Sequence, residues 1–176
     1  MRAVYCLPMM MATTCLAQWT NLDSGTIQEL AGVTMLDPEV AWSFGSNGAL
    51  LSTVDGGDTW STVAIPFAED INTMMRYDYL GMLLFGDDGA LLRSDDLGVS
   101  WALEQAPVVT ELTAVAKFGT SAIAVGEEGA VIRSVDNGAT WHRLGLKEAI
   151  EFDGTVRALA VDPQSPQRVL AGADVG

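Results

Sequence analysis

Residues 48–60 read GALLSTVDGGDTW, residues 89–101 read GALLRSDDLGVSW, and residues 129–141 read GAVIRSVDNGATW. One motif is present in three copies without an insertion, and self-similarity at a period of about 20 to 50 residues marks a repeat architecture. The tryptophans that close the copies extend the series backwards: Trp19, Trp60, Trp101 and Trp141 lie 41, 41 and 40 residues apart. Around each motif, short apolar or alternating runs are bounded by turn residues, and no helical stripe of useful length occurs. The second repeat predicts strands at 71–76, 80–85, 90–94 and 100–104, and the third at 112–117, 122–125, 130–134 and 140–144. Gly86-Asp87-Asp88-Gly89 turns between two of them, where glycines accept the positive φ of a tight hairpin. Four antiparallel strands in about 40 residues describe one blade of a β-propeller. The chain is therefore read as all-β, with blades at 20–60, 61–101 and 102–141 and a truncated one at 142–176, about three and a half blades.

Composition agrees with a packed domain. The 176 residues are 49% apolar and 18% charged, enough for one core and too few for two comfortable ones. A formal charge of −14 repels phosphate backbones and anionic membrane surfaces, so nucleic acid is excluded as a partner of the bare chain. Residues 1–17 read MRAVYCLPMMMATTCLA, with a basic head, an apolar middle and a small residue before Gln18. That is the layout of a secretory signal peptide, predicting a secreted or periplasmic product with no membrane span after cleavage. Cys6 and Cys15 both fall inside this segment, so disulfide pairing says nothing about the remainder.

The octet from Thr53 to Trp60, with its two copies, resembles the Asp-box or BNR repeat, Ser/Thr-x-Asp-x-Gly-x-Thr/Ser-Trp. The matching residues are Thr53, Asp55, Gly57, Thr59 and Trp60; Ser94, Asp96, Gly98, Ser100 and Trp101; and Ser134, Asp136, Gly138, Thr140 and Trp141. Each carboxylate can accept hydrogen bonds from turn N–H groups that strand pairing leaves free. Each glycine supplies a conformation a side chain would forbid, and each indole folds into the layer between sheets. Metal binding or acid catalysis is the functional reading of these aspartates; a fold-making hairpin is the structural one, and it already uses each carboxylate. The resemblance places this hairpin on the blade periphery, away from the ligand face.

The larger pattern, with its apolar strand and Arg-Ser before the Asp-box, resembles the photosystem II stability and assembly factor family from Gln18 onward. The resemblance implies the propeller fold, and in members linked to photosystem assembly a patch of arginines. Arg93 and Arg133 match the repeat arginine, and Ser52 stands in its place in the first copy. The fourth repeat supplies strands at 156–161 and 168–171, and its Asp-box falls beyond Gly176. Propellers close with about 4 to 8 blades, so further blades of the same gene product or a second copy are expected to complete the ring and cover its edge strand.

Loops between second and third strands, and those entering the next blade, are expected on one face near the axis. They carry Glu69, Asp70, Asp87, Asp88, Glu111, Glu127 and Glu128, with Glu148, Glu151 and Asp153 in the partial blade. Such a face would recruit a basic protein segment or a divalent cation, or serve as a solvated rim. Asp-box resemblance extends to sialidases and to xyloglucan-cleaving hydrolases, which need a carboxylate pair in a cleft; Asp70 and Glu111 are the acids that could form one. The Arg-Ile-Pro segment of sialidases does not occur, and Tyr77 and Tyr79 are expected on the opposite face. His142, the sole histidine, stands without a second histidine or a cysteine, as an exposed strand residue. The expectation is an exported, noncatalytic binding or scaffold module without cofactor, metal or catalytic residues, for a protein or glycan ligand. A fragment of an Asp-box glycoside hydrolase is the alternative.

Overall fold

The computed structural model describes residues 23–144 and the strands 155–161 and 169–174. The first sheet comprises β1 (Leu30–Met35), β2 (Ala41–Gly45), β3 (Leu50–Thr53) and β4 (Ser61–Thr62). The second holds β5 (Ile71–Arg76), β6 (Met82–Gly86), β7 (Ala90–Ser94) and β8 (Ala102–Gln105). The third holds β9 (Leu112–Phe118), β10 (Ser121–Gly126), β11 (Val131–Ser134) and β12 (His142–Arg143). β13 (Thr155–Val161) and β14 (Val169–Asp174) pair as the start of a fourth. Every sheet is an antiparallel meander in chain order, the architecture of an incomplete β-propeller.

Packing follows the two-residue period of the strands. On β6, Met82 and Leu84 join Trp42, Phe44, Leu50, Ile71 and Met74 between the first and second sheets. Leu83 and Phe85 point the other way, joining Met75, Leu91, Leu112, Ala124 and Ile132 between the second and third. Because both faces are covered, β6 is buried along its whole length, which is why it reads as a continuous apolar run instead of an alternating one. The Asp-box tryptophans bridge these layers from the periphery while staying half-buried. Trp101 meets Trp42 of the preceding sheet edge-on at 6.2 Å, and Trp141 meets Phe85 at 5.4 Å.

Three details depart from the sequence expectations. The fourth strands start after the tryptophans, at Ser61, Ala102 and His142, so each sheet straddles the repeat boundaries at 60, 101 and 141. The strand expected at 140–144 is observed at His142–Arg143, with Thr140 held in the hairpin by Asp136. In the second-to-third strand turn, the positive φ belongs to Asp88 and Gly89 (54° and 69°), whereas Gly86 is extended. Gly86 is needed for a different reason: a Cβ there would run into the carbonyl oxygen of Asp70. The predicted signal peptide, Trp19, both cysteines and the acids Glu148, Glu151 and Asp153 lie outside the described residues.

Candidate functional site

Connections between strands sort into two ends of the sheet stack. At one end the second-to-third strand turns, Ser46–Gly48, Asp87–Gly89 and Glu127–Gly129, lie against segments that lead into first strands. Gly48 N–H donates to the Glu69 carbonyl at 2.8 Å, Asp87 N–H to that of Asp70 at 3.1 Å, and Glu127 N–H to that of Glu111 at 3.0 Å. Those three bonds bring Glu69, Asp70, Asp87, Asp88, Glu111, Glu127 and Glu128 to a common end. Asp70 also accepts from the Asn47 N–H at 3.0 Å, and Asp87 from the Asn72 amide at 3.0 Å. Glu69, Asp70, Asp88, Glu127 and Glu128 are exposed, and Asp87 and Glu111 are half-buried. Among the described residues no three His, Cys, Asp or Glu side chains converge as a cation site.

At the other end lie the Asp-box hairpins and the first-to-second strand turns, joined by bonds such as Leu97 N–H to the Leu80 carbonyl at 2.8 Å. The three boxes repeat the same hydrogen bonds around the aspartate. Asp136 accepts from the Ser134 hydroxyl at 2.7 Å, the Thr140 N–H at 2.9 Å and the Thr140 hydroxyl at 2.6 Å, and Ser134 in turn accepts from the Gly138 N–H at 2.8 Å. Asp55 and Asp96 repeat these contacts with Thr53 and Thr59, and with Ser94 and Ser100. Hydrogen bonds from Thr59 and Thr140, then from Thr53 and Ser134, hold the Asp55 and Asp136 carboxyls down at about 2, and the corresponding bonds lower Asp96. The indole N–H groups of Trp101 and Trp141 donate to the Gly98 and Gly138 carbonyls at 3.1 Å.

Tyr77, expected at the first-to-second strand turn on the opposite face, stands at that turn and is only 4% exposed. Its hydroxyl donates to Asp95 and to the Ser94 carbonyl, and burial followed by the Asp95 bond pushes its pKa up. Arg93 stacks its guanidinium 4.4 Å from the Tyr77 ring centre, pairs with Asp95 at 2.9 Å, and donates to the Gly138 carbonyl of the third sheet at 3.4 Å. Asp95 is lowered, first by the Arg93 hydrogen bond and then by that of Tyr77. The repeat arginine of the second blade therefore latches two blades together, while Arg133 is exposed on β11. Repeat matching picks out Arg93, but of its partners only Asp95 is local; Tyr77 comes from the preceding strand pair and Gly138 from 45 residues away. Tyr79 is exposed beside Arg76, and His142 is exposed opposite Arg133 on β11.

A family model described as photosynthesis system II assembly factor YCF48 matches residues 11–160. Among solved structures, YCF48 bound to D1 peptide superposes with a TM-score of 0.68 at 22% identity, covering 86% of this chain and 49% of that one. YCF48 from Cyanidioschyzon merolae gives 0.66 at 24% identity, covering 83% and 51%. An ancestral GH74 enzyme gives 0.69 at 16% identity, covering 89% of this chain and 23% of the enzyme. The chain thus spans about half the length of the YCF48 structures. At these identities the likeness shows the β-propeller fold. No curated protein matches the chain.

Proposed function

The chain belongs to the photosynthesis system II assembly factor YCF48 family, and from that membership we propose that it is a noncatalytic propeller module that binds a segment of a client protein. The YCF48 structure solved with a D1 peptide supports peptide capture by this fold. The observation that carries the reading here is the division of carboxylates between the two ends. Asp55, Asp96 and Asp136 are each fully engaged in their own hairpins, while Asp88, Glu127 and Glu128 stand exposed at the opposite end on successive blades. An acidic rim of this kind favours a basic client segment, through attraction that salt weakens. The module works outside the cytoplasm, exported by its segment 1–17, and further blades or a second copy close its ring.

Fluorescence anisotropy with a labelled lysine-rich peptide and a D1 peptide tests the reading. Saturable binding of either is expected, about tenfold weaker in a D87N/D88N/E127Q/E128Q variant; indifference to these four substitutions would reject the acidic face as the binding surface. The alternative, a glycoside hydrolase fragment, draws support from the fold of the GH74 neighbour. Release of reducing sugar from xyloglucan, lost in D70N or E111Q, would replace the binding reading with that one.

A further inference from the structure

The seam between the second and third sheets is filled by Tyr77, Arg93 and Asp95. Strand register identifies their counterparts one blade earlier. Ser52 faces Trp42 as Arg93 faces Leu83, Val54 follows where Asp95 follows, and Leu36 N–H bonds the Val40 carbonyl as Tyr77 N–H bonds that of Gly81. Leu36, Ser52 and Val54 thus replace the aromatic ring, the cation and the anion together. In place of the latch there is a groove of about 500 Å³ between the first sheet and the Asp-box hairpin of the second, lined by Leu36, Val40, Trp42, Val54, Val63 and Val99, with Ser52 and Gly98. Val54 and Val99 are 74% and 84% exposed.

We propose that this groove docks an arginine-bearing segment of a partner protein, whose side chain takes the place that Arg93 holds in the next seam. The groove offers what the aliphatic stem of an arginine uses, valine and leucine side chains to pack against. Gly98 supplies the carbonyl. In the next seam the Gly138 carbonyl accepts from both the Trp141 indole and Arg93, whereas the Gly98 carbonyl accepts the Trp101 indole and keeps its second lone pair for an incoming donor. Charge points the same way. No Lys or Arg occurs between Arg2 and Arg76, a stretch that carries eight Asp or Glu residues. Lining residues are flanked by acids: Asp37 beside Leu36, Glu39 beside Val40, Asp55 beside Val54 and Asp96 beside Leu97. The first blade therefore presents an apolar slot whose sequence neighbours are acidic and which has no basic residue of its own, complementary to a basic amphipathic side chain. This site lies at the Asp-box end and stands independently of the acidic loop face.

The probe is a fluorescein-labelled, capped Gly-Leu-Arg-Leu-Gly peptide titrated against the full chain at low salt, with the citrulline analogue as its uncharged match. Saturable binding is expected, about tenfold weaker for citrulline and weakened again at about 0.5 M NaCl. S52R supplies the arginine in cis and should abolish binding, and L36Y/S52R/V54D rebuilds the whole latch in case the single change disturbs folding; thermal melting reports whether each is folded. Equal binding of the arginine and citrulline peptides, no saturable binding, or undiminished binding by either folded latch variant would overturn the proposal.

Discussion

Asp136 receives three hydrogen bonds from two residues within four positions of it, and its carboxyl is held at about 2, with Thr140 as the largest cause. A carboxyl whose folded pKa lies below its ordinary value of 3.8 stabilises the fold above that value, and the contribution disappears as pH falls through the folded pKa. Asp55 behaves alike and Asp96 shifts in the same direction. Urea midpoints should therefore hold steady from about pH 7 to about pH 5 and fall between about pH 4 and about pH 2. D136N should lower the midpoint at neutral pH and flatten this acid limb; an unchanged limb would show that the hairpin does not depend on the carboxylate. These contacts were legible in the sequence because they are local. The Tyr77–Asp95–Arg93 latch was not, since it joins groups from different strands and then a different sheet.

At the scale of the element, the hairpin and its tryptophan form one packing unit. The Trp141 indole covers Phe85 edge-on and donates to the Gly138 carbonyl. Because the ring is half-buried, W141A should cost about 2 kcal/mol, less than the ~3–5 kcal/mol of a fully buried indole. W141F keeps most of the ring and should cost about 1 kcal/mol, the usual value of the lost hydrogen bond. Urea denaturation of both variants checks the ranking, and equal losses would assign the tryptophan's contribution to the hydrogen bond alone. The strand pattern was readable at this scale because apolar runs and glycine turns encode strand and turn directly. Strand ends were less so: Thr140, in an extended-looking run, is captured by Asp136 through bonds that composition does not announce.

Over the whole molecule, a charge of −14 is a source of self-repulsion that salt screens. Raising NaCl from about 20 mM to about 0.5 M should raise the thermal midpoint. A midpoint that falls would mean that attractive pairs, such as Arg93 with Asp95, outweigh the repulsion. The repeat period, the four-strand blade, the Asp-box and the acidity of one loop end all follow from the sequence by itself, because each rests on spacing along the chain. Tertiary structure alone decided which seam is filled and which is open. Leu36, Ser52 and Val54 are unremarkable as a string, and they become a groove only when register sets them beside Trp42 and the next blade's hairpin. Contacts between neighbouring sheets are made by residues some 40 positions apart, and at that distance complementarity exists in space and not in the order of residues.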